Sequence, residues 1–379
     1  MRQRADVVVI GGGIAGLSTA YHLAKMGQNN VEVIEQGYVG SGASTRNAEH
    51  LGTAFSNKTM VQLASETVKI HGRLPKETGF NTLFYKQPLF VTGHSEEHSK
   101  ELTTMLDHQK TFGQRAKRIT PKEMKEMLPF LNTEGITDVG LFQDDGHAHH
   151  DGVIWALTKG CTKMGVGVNT HTKVLKIETE KGKISGVTTD KGKVETGIAV
   201  NTAGAWAKAL AASIGVNLPS VSRRREIMVT EPLKHVFHEY VDDMETGIYF
   251  NQTLRGEFVG AGIEGRLTTT TFDISSSTYF VKEYMKILLR FFPSLKHVNM
   301  MRQWAGLRDR TLDHIPIAGR TDGVEGFYQL NGFFGYGFTF GPVFGKLLAE
   351  DILKGKPSIS LDMFNLRRFE GIIPQSKAG

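Results

Sequence analysis

The chain lacks several features that would point elsewhere. It has one cysteine, Cys161, so no internal disulfide can form and a cytoplasmic setting is the natural expectation. The surrounding ALTKGCTKMG reads as a helix, and a buried structural thiol is expected there. No apolar run approaches the roughly 20 residues that a membrane span requires. The apolar N-terminus carries Gly11–Gly13, an early Asp6 and no small-residue cleavage pattern, so it reads as strand and turn, not as a signal peptide. No internal repeat and no low-complexity linker interrupts the chain. Neither sign of charge dominates: 45 Lys and Arg against 39 Asp and Glu leave a formal +6. The basic residues are scattered, which argues against nucleic acid as a partner; an anionic cofactor and substrate suffice to use some of them. The length of 379 residues is enough for two domains and a large core.

What is present begins with VVVIGGGIAG at residues 7–16. The β-branched run reads as a strand buried on both faces, as in a parallel sheet. Gly11, Gly13 and Gly16 then give the GxGxxG spacing. The first glycine permits a tight turn, the second lets backbone approach a pyrophosphate, and the third lets the helix pack on the strand. Ile14 and Ala15 open that helix, whose N–H groups and positive dipole end face the phosphates. Glu35 closes the next apolar run, VEVIE, about 20 residues on, where the partner of the ribose hydroxyls belongs; Gln36 follows it. This pattern says dinucleotide, FAD or NAD, without choosing. Nothing later resembles a second complete fingerprint, which argues against an enzyme binding both in two such domains.

Further along, a small-residue stretch, GSGASTRNAEHLGT, spans 40–53. Helical patterns follow in TMVQLASETVKIHGRL and SEEHSKELTTMLDHQKTFG, and ITPKEMKEM carries a helix start with Thr120 as cap and Pro121 after it. Strand runs with Lys-Gly turns occupy HTKVLKIETEKGKISGVTTDKGKV, and IMVTEP, GIYFNQT and EFVGAGIEG are β-type. YFVKEYMKILLRFFPSL reads as a helix. The chain closes on MRQWAGLRDRTLDHIPIAGR and on NGFFGYGFTFGP, where Gly332, Gly335, Gly337 and Gly341 precede a helix. Such a turn can bring N–H groups to an electron-rich ring or a phosphate, or it can be a tight packing turn.

Taken together, GGGIAG with Glu35, the GSGAST-R-N stretch, RREIMVTEP, NTAGAWA, WAGLR with T-x-D-x-x-P-x-x-G, and the GxGFTFGP turn resemble the D-amino-acid-oxidase-like FAD-dependent oxidoreductase family over nearly the whole length. Within it the chain is most similar to the β subunit of heterotetrameric sarcosine oxidase and of dye-linked L-proline dehydrogenase, with glycine oxidase a near cousin. The resemblance implies an α/β fold: a Rossmann-like FAD-binding domain with a mixed-sheet (α+β) substrate-binding domain. It assigns 1–85, 146–222 and 300–379 to the first and 86–145 and 223–299 to the second. The implied chemistry is hydride transfer from a C–H beside an amine nitrogen to flavin N5, giving an imine. The flavin supplies that chemistry and the protein supplies position and electrostatics. The implied substrate is a small amine or secondary amino acid, sarcosine-, proline- or glycine-like. The implied setting is a catalytic β-type subunit of a hetero-oligomer; a self-sufficient oxidase and a flavin-binding subunit without amine oxidation are the alternatives.

Site residues follow from the same resemblance. Ser41, Gly42, Ser44, Thr45, Arg46 and Asn47 would run from pyrophosphate to flavin ring, with Arg46 suited to phosphate. Val174 sits where relatives hold adenine by backbone. Ala203, Gly204 and Trp206 in NTAGAWA match a turn passing close to the cofactor. Gly332, Phe333, Gly335, Tyr336, Gly337, Phe338 and Thr339 would meet the ring. Arg308 in WAGLR is the candidate for the substrate carboxylate, because a guanidinium fork matches a carboxylate as lysine cannot. Tyr249, on a strand with a polar-tipped face, and Tyr336, in the glycine turn, are candidate pocket residues.

The chain departs from its relatives at one place. Many sarcosine and proline enzymes carry an arginine soon after the R-N pair, in G-G-x-R; here Ala48-Glu49-His50-Leu51-Gly52 puts Gly52 there. Glu49 and His50 stand where small residues are common. Histidine is the side chain that exchanges protons near neutrality, which makes His50 a candidate base for the amine. The cluster His147, His149, His150 and Asp151 has His-x-His spacing but no further ligand at a telling distance, so no metal is expected. The resemblance implies an FMN at a subunit interface near His150; the plainer reading is a turn with Asp151 capping a helix.

Overall fold

The computed structural model describes residues 1–263 and 270–372. The strand Val7–Ile10 lies at the heart of a six-stranded sheet, between Val31–Ile34 and Ala199–Asn201, both parallel to it. Phe327–Asn331 extends the sheet in parallel, Ile317–Arg320 adds an antiparallel edge, and Gly167–Asn169 forms the other edge. Every residue of the central strand is buried, as the β-branched run demands. The helix Ile14–Lys25 packs under the C-terminal helix Gly337–Lys354. Two glycines of the latter make that approach close: a Cβ on Gly341 would lie 2.9 Å from Ile14 Cγ2, and one on Gly345 would lie 2.7 Å from Ser18 Cβ. Phe340 and Phe344 are fully buried, each contributing on the order of 2 kcal/mol by area removed from water.

Beside it, Val174–Glu180, Lys183–Thr189 and Gly192–Glu195 form a three-stranded meander. Its first turn is Lys181-Gly182, both at positive φ (50° and 77°), the mirror-image turn that suits tight hairpins. Cys161 is fully buried, as expected for a structural thiol, and burial pushes it up to about 12.

The second large sheet has eight strands, in the order Met300–Thr311, Ser220–Pro232, Glu257–Ala261, Tyr249–Gln252, Tyr240–Asp243, Leu89–Gly93, Asp138–Phe142 and Ala116–Ile119. The alternation of each strand gives it two different faces. One is apolar: Phe90, Met228, Val241, Phe250 and Phe258 pack with the helix Thr278–Phe291. The other carries Tyr240, Asp242, Tyr249, Asn251, Arg225 and Arg308. Its longest ladder joins Ser220–Pro232 to Met300–Thr311, with Arg223 opposite Arg308 and Arg225 opposite Gly306. Met300–Thr311, grouped by sequence with the dinucleotide-binding part, thus hydrogen-bonds along the eight-stranded sheet. The tip of EFVGAGIEG, Glu264 and Gly265, lies outside the described residues.

Local signals hold with one correction. Thr120 caps its helix in a full capping box with Glu123. Asp151, expected as a cap, lies inside the first turn of the helix His150–Lys163; the cap is His149, whose Nδ1 accepts from Gly152 N–H at 3.4 Å. The helix starts two residues early, and Glu49 takes the His150 N–H at 3.0 Å.

Candidate active site

A cavity of about 440 Å³ begins at the end of the central strand and runs to the C-terminal glycine turn. The three fingerprint glycines each meet a different constraint. Gly11 sits at φ +115°, and a Cβ would lie 2.6 Å from Thr202 O. Gly16 does not line the cavity; a Cβ there would collide with the Gly11 carbonyl, so it serves helix–strand packing. Gly13 lines the cavity with Ile14 and Ala15, and the Ser44 hydroxyl accepts the Ile14 N–H at 2.9 Å. Glu35 accepts Gly12 N–H and Gly37 N–H, each at 2.7 Å, one on each oxygen. Oε1 also accepts the Ser41 hydroxyl at 3.3 Å, so Oε2 is the oxygen that keeps a lone pair for a ribose hydroxyl. Gln36 and Val174 complete this end of the wall.

Along the middle stand Ser41, Gly42, Ser44 and Asn47 on one side and Ala203, Gly204 and Trp206 on the other. Gly42 and Gly204 have open space where a Cβ would be, so backbone there is accessible to a ligand. Gly204 N–H is held by Asn331 Oδ1 at 3.2 Å, and Asn331 Nδ2 donates to Asn201 O at 2.9 Å. Thr45 and Arg46 do not line this cavity. Arg46 Nη1 donates to Ser41 O and Gly42 O at 2.6 and 3.0 Å, tying the loop together, and both residues face a neighbouring cleft.

At the far end, Gly332, Phe333, Gly335, Gly337, Phe338 and Arg308 close the wall. Asp309 organises this turn: its Oδ2 accepts Gly332 N–H at 2.8 Å and its carbonyl accepts Phe334 N–H at 2.9 Å. Burial raises the Asp309 carboxyl to about 6, against the lowering effect of the Gly332 and Ser220 hydrogen bonds. Gly335 is at φ +96°, and a Cβ would lie 2.7 Å from Arg308 Nε. Arg308 also stacks 5.0 Å over the Phe334 ring, so its guanidinium is fixed in direction. An elongated cavity with accessible backbone at both glycine turns, a carboxylate at one end and glycines with Phe333 and Phe338 at the other fits a dinucleotide carrying a planar ring system.

Beyond that wall the polar face of the eight-stranded sheet supplies the remaining candidates. Tyr336 is 45% exposed, beside the glycine turn, and burial of its phenol pushes it up to about 12. Asp242, Arg308, Tyr249 and Arg225 all act on it electrostatically. Tyr249 is likewise raised, chiefly by burial, with Arg225 and Arg308 opposing. Thr339 Oγ1 reaches the His50 carbonyl at 3.4 Å, which brings the last helix against the departing Ala48–Gly52 stretch. His50 stacks on Tyr240, ring centroids 3.9 Å apart, and its Nε2 lies 3.2 Å from Asp145 Oδ2. Asp145 is fully buried and also accepts Thr53 N–H at 3.0 Å. A Cβ at Gly52 would lie 3.0 Å from His50 Cε1, so the missing arginine's place is beside the imidazole. Sequence reasoning missed Asp145, Asp242, Arg225 and Asp309. Only the strand alternation, which put Asp242 on one face with Tyr240, carried any signal.

The neighbouring cleft, about 820 Å³, is built around Glu49. Its carboxylate lies 3.2 Å from His147 Nε2, 3.2 Å from His150 Nδ1 and 3.7 Å from His149 Nδ1. Burial alone would raise Glu49; the His147 hydrogen bond and the three imidazoles outweigh it and hold it at about 2. Glu49 has φ +65°, a conformation in which glycine is at ease and a side chain is strained. Trp155 and Met301, 52% and 66% exposed, rim the cleft.

The family model described as FAD dependent oxidoreductase matches residues 6–351. Sarcosine oxidase subunit beta of Rhodobacter capsulatus is 30% identical over 376 residues, covering 97% of this chain and 89% of that protein. The mouse mitochondrial pyruvate dehydrogenase phosphatase regulatory subunit is 27% identical over 97% of this chain and 43% of its own length. Among solved structures, L-proline dehydrogenase from P. horikoshii superposes with a TM-score of 0.92 at 30% identity, covering 98% of this chain and 99% of that one.

Proposed function

The chain belongs to the FAD dependent oxidoreductase family, and from that premise we propose that it oxidises the C–N bond of a small amino acid of the sarcosine, proline or glycine kind. The observation that carries this reading is the junction of Arg308, fixed between Gly335 and Phe334, with the Tyr249–Tyr336 recess at the ring end of the cavity. Bound FAD supplies the hydride acceptor. Arg308 receives the substrate carboxylate through its planar fork. Tyr249 and Tyr336, both kept protonated at neutral pH, donate hydrogen bonds and wall the recess. His50, oriented by Asp145 and by stacking on Tyr240, takes the proton of the amine. The GxGxxG turn and Glu35 hold the adenine dinucleotide end, with Val174 at the adenine and Ala203–Trp206 along the middle.

The β-type subunit of a hetero-oligomer is the proposed setting. The relatives named as sarcosine oxidase β subunits support it, as does the apolar rim of the Glu49 cleft. An FMN beside His150 in that cleft belongs to the same reading: the imidazole is lowered by burial, and Glu49 orients its Nδ1. The two-part division into dinucleotide and substrate domains, and a cytoplasmic location for a chain whose one thiol is buried and unreactive, complete it.

The test is anaerobic titration of the purified yellow protein with sarcosine, L-proline, glycine and D-amino acids. Loss of the flavin absorbance with one of them supports the proposal. Unchanged absorbance across the panel favours a flavin-binding subunit without amine oxidation. The 27% identity to a regulatory subunit and the loss of the G-G-x-R arginine speak for that second reading. FMN released beside FAD from a copurified complex marks the multi-subunit form.

A further inference from the structure

Two acidic residues stand side by side on the strand Tyr240–Asp243, and they have opposite fates. Asp243 points to the apolar side of the sheet and is saturated: it accepts Thr92 Oγ1 at 2.7 Å, His94 Nε2 at 2.5 Å and Thr246 Oγ1 at 2.6 Å. Asp242 points to the opposite face. Its carboxylate has no hydrogen-bond or ion-pair partner among the described residues. Structural acids buried in a sheet look like Asp243.

The surroundings of Asp242 are those of the recess. Tyr249 is its direct cross-strand neighbour, so the two side chains rise together, about 5 Å apart at Cβ. Tyr240 shares its face two residues away and carries the stacked His50. Tyr336 comes from the glycine turn and Arg225 from the long ladder, and both couple to Asp242 electrostatically. Burial pushes the Asp242 carboxyl up to about 6; His50 and Arg225 lower it and Asp243 raises it.

We infer that Asp242 receives the positively charged nitrogen of the substrate while Arg308 holds its carboxylate. The substrate class is thereby narrowed to zwitterions whose nitrogen and carboxylate are presented together. This inference rests on the reading of the recess as an amine site. It also gives His50 its place: the imidazole beside Asp242 is positioned to take a proton from the nitrogen that the carboxylate holds. An unpartnered carboxylate in a recess of low dielectric attracts a cation far more strongly than it would in water.

The experiment separates the two charges of the substrate. Pyrrolidine has the amine without the carboxylate, and acetate the carboxylate without the amine. Each is titrated by calorimetry into the FAD-loaded protein and into its Asp242→Asn variant, which keeps the size and shape of the side chain. The expected result is a pyrrolidine Kd raised about tenfold in the variant, with acetate bound as well or better. Wild-type affinity for pyrrolidine should also fall as pH drops through about 6, and the variant should not show this fall. Asp242→Glu should recover part of the pyrrolidine binding. No pyrrolidine binding in the wild type, equal binding in both proteins, or equal weakening of both probes would sink the inference. Unbleached flavin with every amino acid would instead sink the amine-oxidation reading, and the two failures are read on different instruments.

Discussion

The two ends of the long cavity are built by different means. At the dinucleotide end, the glycine turn within Ile10–Ala15 and one acid, Glu35, line the cavity, and the glycines present backbone to it. At the ring end, the candidate groups come from different parts of the chain: His50 from the two-residue strand His50–Leu51, Asp145 from a loop, Asp242 and Tyr249 from neighbouring strands, Arg308 from the long ladder, Tyr336 from the glycine turn. A backbone site tolerates almost any side chain except where a Cβ collides. A side-chain site tolerates backbone variety but depends on a few functional groups. Substitutions at the two ends should therefore fail in opposite ways.

The largest effect is expected at Gly11. A valine there combines a positive φ with a Cβ 2.6 Å from Thr202 O, and neither can relax without moving the central strand. Gly11→Val should purify colourless or unfold, read as the flavin-to-protein ratio and the melting temperature. A yellow, stable Gly11→Val protein would break the contrast at its stronger end.

Arg308 should fail the other way. Arg308→Ala should keep its flavin and its fold while the rate of anaerobic flavin reduction at low substrate falls by about a hundredfold, the loss of one bidentate ion pair in a recess. Arg308→Lys should recover little, because an ammonium cannot form the fork and would no longer lie flat on Phe334. Loss of flavin in Arg308→Ala would mean that this end, too, is chiefly a cofactor scaffold.

These two outcomes also explain what could be read in the sequence. The fingerprint end was legible because its physics is local: strand, turn, helix and acid follow one another within Val7–Glu35. Arg308 and Tyr336 were legible only through family motifs. Asp242 and Asp145 were not, because nothing near them in sequence distinguishes a cavity-facing acid from a surface or structural one; only the register Asp242–Tyr249 and the packing of His50 do so. Arg46 shows what a charge in a motif leaves open. Its charge suggests a phosphate, while its Nη1 donates to two carbonyls of its own loop and the residue lines the neighbouring cleft. Asp151 was displaced from its cap by the Glu49 carboxylate, a contact across the fold that no local pattern contains.

A smaller effect is expected at Glu49, and it depends on pH. Its carboxyl is held at about 2 in the folded chain against an ordinary value of 4.5. A depressed acid contributes stability above its unfolded pKa and loses it as pH falls toward the folded one. The loss should therefore run from about pH 4.5 down to about 2, with a magnitude on the order of 2 kcal/mol. Glu49→Gln should lack that part of the acid transition in denaturant titrations at pH 5, 4 and 3. An unchanged acid limb in Glu49→Gln would detach the Glu49 cleft from the stability of the fold.

The smallest effect is the sharpest test of the comparison. Val174 opens the strand Val174–Glu180 and lines the dinucleotide end, yet the proposed contact with the adenine is made by its backbone. Its side chain is only partly buried against the adjacent core, so Val174→Ala removes two methyl groups from a half-filled site without changing the ladder to Thr189. The cost to folding should be about 1 kcal/mol or less. The dissociation constant for FAD, measured by fluorescence after removal and readdition of the cofactor, should change by no more than about threefold, because the hydrogen-bonding backbone is untouched. A tenfold loss would show that the side chain itself packs on the bound group. The dinucleotide end would then be, like the ring end, a site made of side chains, and the contrast between the two would rest on Gly11–Gly16 alone.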